Sequence, residues 1–91
     1  MDDLDPVELE IDGVLDLHTF NPKEVRRLIP DYLEACLEKD IFAVRIIHGK
    51  GKGVLRRTVH SILEQLAIVV SFKLAGEDGG SWGATLVELQ K

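Results

Sequence analysis

The feature that most constrains the fold is a junction in the middle of the chain. Residues 41–47 (IFAVRII) form a nearly unbroken apolar, β-branched run that ends in His48-Gly49-Lys50-Gly51-Lys52-Gly53. From Val54 the apolar positions change at once to helical spacing, with Leu55, Val59, Ile62, Leu63 and Leu66 on one face. A strand that feeds a helix through a glycine turn is one half of a strand–helix–strand unit, and such units build α/β sheets. The run at 41–47 reads as a strand buried on both sides.

The flanking segments complete the pattern. Val7, Leu9 and Ile11 alternate with acids, as in a short half-exposed strand, and Asp12-Gly13 signals a turn. Residues 14–18 (VLDLH) read as the first main strand, with Leu15 and Leu17 on one face and Asp16 and His18 on the other. Asn21-Pro22-Lys23-Glu24 is a helix start: Asn21 caps, Pro22 suits the first helical position and Glu24 closes a capping box. Val25, Leu28, Ile29, Tyr32, Leu33 and Cys36 then keep the helical period to about Lys39. Pro30 inside this pattern is expected to kink or split the helix. Residues 69–74 and 84–89 read as two further strands around a glycine-rich loop at 77–83. The expected architecture is α/β: a two-layer sandwich of order βαβαββ over a mixed four-stranded sheet, spanning 14–91. Residues 1–13 would form a short acidic N-terminal strand or arm.

Length and charge narrow the function classes. With 91 residues there is room for one domain. The acidic start is unlike a secretory signal, and no apolar run approaches the roughly 20 residues that span a bilayer, so a cytoplasmic, non-membrane protein is expected. A single cysteine, Cys36, excludes an intrachain disulfide and reads as a buried hydrophobe. The net charge is −5, but its distribution is uneven. Acids crowd the first sixteen residues, whereas none falls between Ile41 and Leu63, a stretch holding Arg45, Lys50, Lys52, Arg56 and Arg57. One locally basic face is therefore compatible with an acidic chain.

Three constellations carry chemistry. In the turn at 48–53, Gly49, Gly51 and Gly53 let backbone amides approach a phosphate, Lys50 and Lys52 supply charge, and a helix N-terminus follows. The spacing matches neither the Walker nor the dinucleotide pattern, and a solvated tight turn is the bland alternative. His18 and His48 each end an expected strand; if those strands are parallel neighbours, both imidazoles reach the carboxyl edge of the sheet, where open α/β folds place ligands. Asp16 shares a face with His18, to orient an imidazole, activate water or hold a metal, or merely to cap the following turn. Arg56 or Arg57 can reach an anion at the helix start. Arg56, His60 and Glu64, four apart, read as a solvated stripe, which leaves His60 out of the site. Trp82, in the loop with Gly80, Gly83 and Thr85, either stacks on a base or closes the core edge.

LDLH at 15–18, HGKGKGVLR at 48–56 and GGSWGATLVEL at 79–89 together resemble the three signature blocks of the Smr (small MutS-related) domain family, over most of the chain. The family continues the first block with glycine where this chain has Thr19, and Ser81 is an added residue in the last block. The resemblance implies a fold like the C-terminal domain of a bacterial translation initiation factor. It also implies DNA nicking, in some members RNA cleavage. Carried onto this chain, it implies a catalytic set of Asp16, His18 and His48. Nucleic-acid contacts would come from Gly49, Lys50, Gly51, Lys52, Gly53, Arg56, Arg57, Gly80, Trp82, Gly83 and Thr85. The expectation is thus a largely sequence-tolerant nicking endonuclease acting on DNA or RNA as a monomer, with Mg or Mn as a possible cofactor. The alternative is a non-catalytic module that docks on nucleic acid or a ribosome-associated partner through the same basic edge. The acidic arm is a further candidate, for recruiting a protein partner.

Overall fold

A computed structural model describes residues 11–49, 53–75 and 83–91. Four strands and two helices follow one another as β1 (Val14–Asp16), α1 (Pro22–Glu38), β2 (Ala43–Ile47), α2 (Val54–Glu64), β3 (Val69–Leu74) and β4 (Ala84–Leu89). The sheet order is β1-β2-β4-β3, with β1 parallel to β2 and the other pairs antiparallel. This is the expected mixed sheet in two layers. The strand expected at 7–11, apart from Ile11, which packs against the core, lies outside the described residues, as does most of the acidic arm.

The core forms where the helical stripes meet one face of the sheet. Val25, Ile29, Leu33 and Cys36 of α1 and Val59 and Leu63 of α2 close over Leu15, Val44, Ile46 and Val87. Cys36 is fully buried, as read from its apolar neighbours, and burial pushes its thiol pKa up. Asn21 caps α1 by accepting from the Lys23 amide at 2.9 Å. Pro30 does not split α1, which runs continuously through it for 17 residues. Tyr32 locks α1 to the start of β1: its hydroxyl accepts from the Gly13 amide at 3.1 Å and lies 3.1 Å from the Val14 carbonyl.

Two strands differ from expectation. β2 is not buried on both sides: Val44 and Ile46 are buried, but Ala43 is exposed and Arg45 and Ile47 are half-buried. The two helices cover only one face of the sheet, so the opposite side of β2 looks outward. β1 is shorter than expected. It stops at Asp16, and Leu17–Thr19 form one turn of 3-10 helix. The cause is local: Asp16 Oδ1 accepts the His18 amide at 2.9 Å and so diverts the backbone from the ladder.

Candidate nucleic-acid interface and active site

The parallel register of β1 and β2 sets the site. Asp16 pairs with Ile47, so the residues that follow each strand leave the sheet at the same edge. On the first segment, the 3-10 turn keeps Leu17 buried and presents His18 outward. His18 Nδ1 lies 2.9 Å from Asp16 Oδ1, with both side chains more than half exposed. That one carboxylate oxygen therefore receives the backbone amide and faces the imidazole of the same residue. The sequence left capping and histidine orientation as alternatives for Asp16; the geometry combines them. Nδ1 of the ring thus faces Asp16, and Nε2 faces the Gly49 backbone.

The second segment passes directly beneath. Gly49 has φ +87°, and a Cβ built there would stand 3.1 Å from His18 Nε2. Only a residue without a side chain allows both this left-handed backbone and so close an approach of the imidazole. The turn is fixed by the residue that leads into β4, because the amides of His48 and Gly49 both donate to the Gly83 carbonyl at 2.8 Å.

α2 opens from Gly53, a left-handed residue with φ +84° and no side-chain cap on the helix amides. Arg56 folds back over it: a Cβ at Gly53 would lie 2.9 Å from the Arg56 guanidinium. Uncapped amides, the positive end of the helix dipole and a guanidinium at one point favour an anion. Arg57, the other arginine expected here, is exposed on the same first turn. Lys50, Gly51, Lys52, Gly80 and Trp82 lie outside the described residues.

Three expectations about the site are corrected. Thr85 is fully buried, and Gly83 is buried with its carbonyl serving the turn, so neither lies on the exposed surface expected of a contact residue. His48 is 5% exposed and both its ring nitrogens have protein partners: Nδ1 lies 3.1 Å from the Gly49 carbonyl and Nε2 2.9 Å from Thr85 Oγ1. His48 thus lies behind the surface on which His18 is exposed. Finally, His60 is not part of a solvated stripe. Its Nε2 lies 2.8 Å from Thr85 Oγ1, and its ring packs on Phe72 (centroids 4.9 Å) and edge-on to His48 (6.2 Å). Burial lowers the pKa of both His48 and His60; the nearby Arg56 charge adds to this in each. His60 borders the apolar stripe on the side of Leu63, and that position on the helical wheel was the available signal.

The family model of the Smr domain matches residues 15–90. The chain belongs to the Smr domain family. The endonuclease MutS2 of Brevibacillus brevis is 42% identical over 76 residues, 84% of this chain and 10% of that protein. A MutS2 endonuclease of Clostridium botulinum is 31% identical over 81 residues, 89% of the chain and again 10% of the relative. The Smr chain thus spans about a tenth of the length of these relatives. Among solved structures, the Smr domain of Thermus thermophilus MutS2 superposes with a TM-score of 0.80 at 29% identity, covering 88% of this chain and all of that one. YdaL, a stand-alone small MutS-related protein of Escherichia coli, gives 0.78 at 27% identity, over 87% of this chain and 65% of that one. Among the described residues, no helix is long and apolar enough to cross a membrane.

Proposed function

We propose that this Smr domain binds nucleic acid along the edge formed by His18, Gly49, Gly53 and Arg56, and nicks its phosphodiester backbone there. The observation that carries the reading is the Asp16–His18 pair standing over Gly49, with the His18 side chain more than half exposed. The kinship with endonuclease MutS2 supports it. A phosphate seated against the α2 amides and the Arg56 guanidinium would have the charge growing on its oxygens stabilised by donors already in place. Water attacks phosphorus, the bond to the leaving sugar oxygen breaks, and His18 Nε2 takes up the proton lost by the water or returns one to the leaving oxygen. Asp16 holds the imidazole in the tautomer that this needs.

No group in this set reads a base edge, so binding is sequence-tolerant and weakens steeply with salt. As to a divalent cation, among the described residues no three carboxylate, imidazole or thiol side chains converge, and Asp16 already serves His18. Among the described residues, then, the side chains build no cage for a cation.

The test is a supercoiled plasmid incubated with purified protein, with and without magnesium or manganese, comparing wild type with His18→Ala and Asp16→Asn. Single-stranded and branched DNA and RNA run in parallel identify the substrate. Nicking by wild type that both variants lose is the expected result. Salt-sensitive binding with no cleavage of any substrate would instead identify a non-catalytic docking module.

A further inference from the structure

Three side chains behind the site form a linear hydrogen-bond chain, and one carbonyl dictates the direction of its bonds. The Gly49 carbonyl can only accept, so the His48 nitrogen facing it, Nδ1, carries the hydrogen. In the neutral ring Nε2 is then a lone pair, and Thr85 Oγ1, 2.9 Å away, must donate to it. A hydroxyl has one hydrogen. With that hydrogen committed to His48, Thr85 accepts from its other neighbour, so His60 Nε2, at 2.8 Å, is protonated. The order is His60 Nε2–H to Thr85 Oγ1–H to His48 Nε2, and then His48 Nδ1–H to the Gly49 carbonyl.

From this geometry we infer that His60 and Thr85 are positioning residues, which act through His48 to fix the Gly49 turn beneath His18. This rests on the proposed function for its catalytic consequence, although the hydrogen-bond order stands without it. The chain joins three elements that local sequence does not connect: α2 through His60, β4 through Thr85 and the end of β2 through His48. Its last bond ends on the residue over which His18 Nε2 stands. A second proton on His48 would reverse it, since Nε2–H would then oblige Thr85 to donate to His60. Burial of Thr85 and of the His48 ring opposes such a charge, and the Arg56 guanidinium nearby opposes it further. A mere polar plug in the core would show the same proton order, so the Gly49 resonance and the nicking rate are what separate the two roles.

The experiment has a spectroscopic arm and a kinetic arm. Ring 15N shifts of the full chain near neutral pH are expected to show His48 protonated on Nδ1 alone and His60 protonated on Nε2. Thr85→Ser keeps the hydroxyl and is expected to keep both tautomers. Thr85→Val and His60→Phe keep the bulk and break the chain; they are expected to shift the Gly49 amide resonance. In nicking assays they are expected to lower kcat roughly tenfold to a hundredfold, the scale of a reacting group displaced by up to ~1 Å, with nucleic-acid affinity unchanged. Thr85→Ser is expected to restore the rate. His48 protonated on Nε2 in the wild type would overturn the inference, whether or not any variant folds. So would a Gly49 resonance indifferent to Thr85→Val and His60→Phe. A wild-type protein that nicks nothing would refute the proposed function instead, leaving the tautomers and the Gly49 shift to decide this one.

Discussion

Gly49→Ala perturbs the closest approach in the site, and its cost can be worked from the structure. A residue with a Cβ held at φ +87° carries a left-handed penalty of about 1–2 kcal/mol. The new methyl also stands 3.1 Å from His18 Nε2, closer than ordinary contact. His18 is exposed and can yield, so the clash adds little to the stability loss; the backbone term dominates. The expected loss is therefore about 1–2 kcal/mol, or a melting temperature lower by about 4–16 °C in a domain of this size. Activity is expected to suffer more. Yielding carries Nε2 off the phosphate position, and a misplacement of ~1 Å can cost about a hundredfold in rate. Urea unfolding of Gly49→Ala measured in the wild type and in a His18→Ala background separates the two terms. Nearly the same loss is expected in both, since the backbone strain persists when the imidazole is gone. A Gly49→Ala protein as stable as wild type, or one that nicks at the wild-type rate, would refute the reasoning.

Other outcomes follow from the same contacts. His48 and His60 have pKa values lowered from 6.5 in the folded state. The unfolded chain binds more protons as pH falls through 6.5, so stability present above that value is lost progressively below it; urea midpoints between pH 7.5 and 5 check this. Tyr32→Phe leaves the buried Gly13 amide without its acceptor and is expected to cost about 1–3 kcal/mol in urea unfolding. Arg56→Gln is expected to weaken binding about equally across sequences and to reduce the slope of log affinity against log salt by about one. Fluorescence anisotropy titrations at several salt concentrations measure it.

How much was legible in the sequence depended on how local each determinant was. β3, β4 and the start of α1 followed from periodicity and the Asn21-Pro22 cap, and the convergence of His18 with the 48–49 turn followed from expecting parallel neighbours. The early end of β1 did not, because a strand pattern in VLDLH conceals the competition of the Asp16 carboxylate for the His18 amide. The open face of β2 is set by how many helices cover the sheet, which the apolar run at 41–47 does not encode. Thr85 and His60 were misassigned for one reason. They lie 25 residues apart, and only the antiparallel seating of β4 against β2, with Thr85 paired to Ile46, brings the hydroxyl between two imidazoles.

The central claim is that His18 moves the proton in strand cleavage. Chemical rescue tests it most directly: His18→Ala protein and a supercoiled plasmid, with free imidazole added over a concentration series. The account predicts that the variant binds the plasmid, does not nick it, and regains nicking in proportion to imidazole. Undiminished nicking by His18→Ala without imidazole would contradict it.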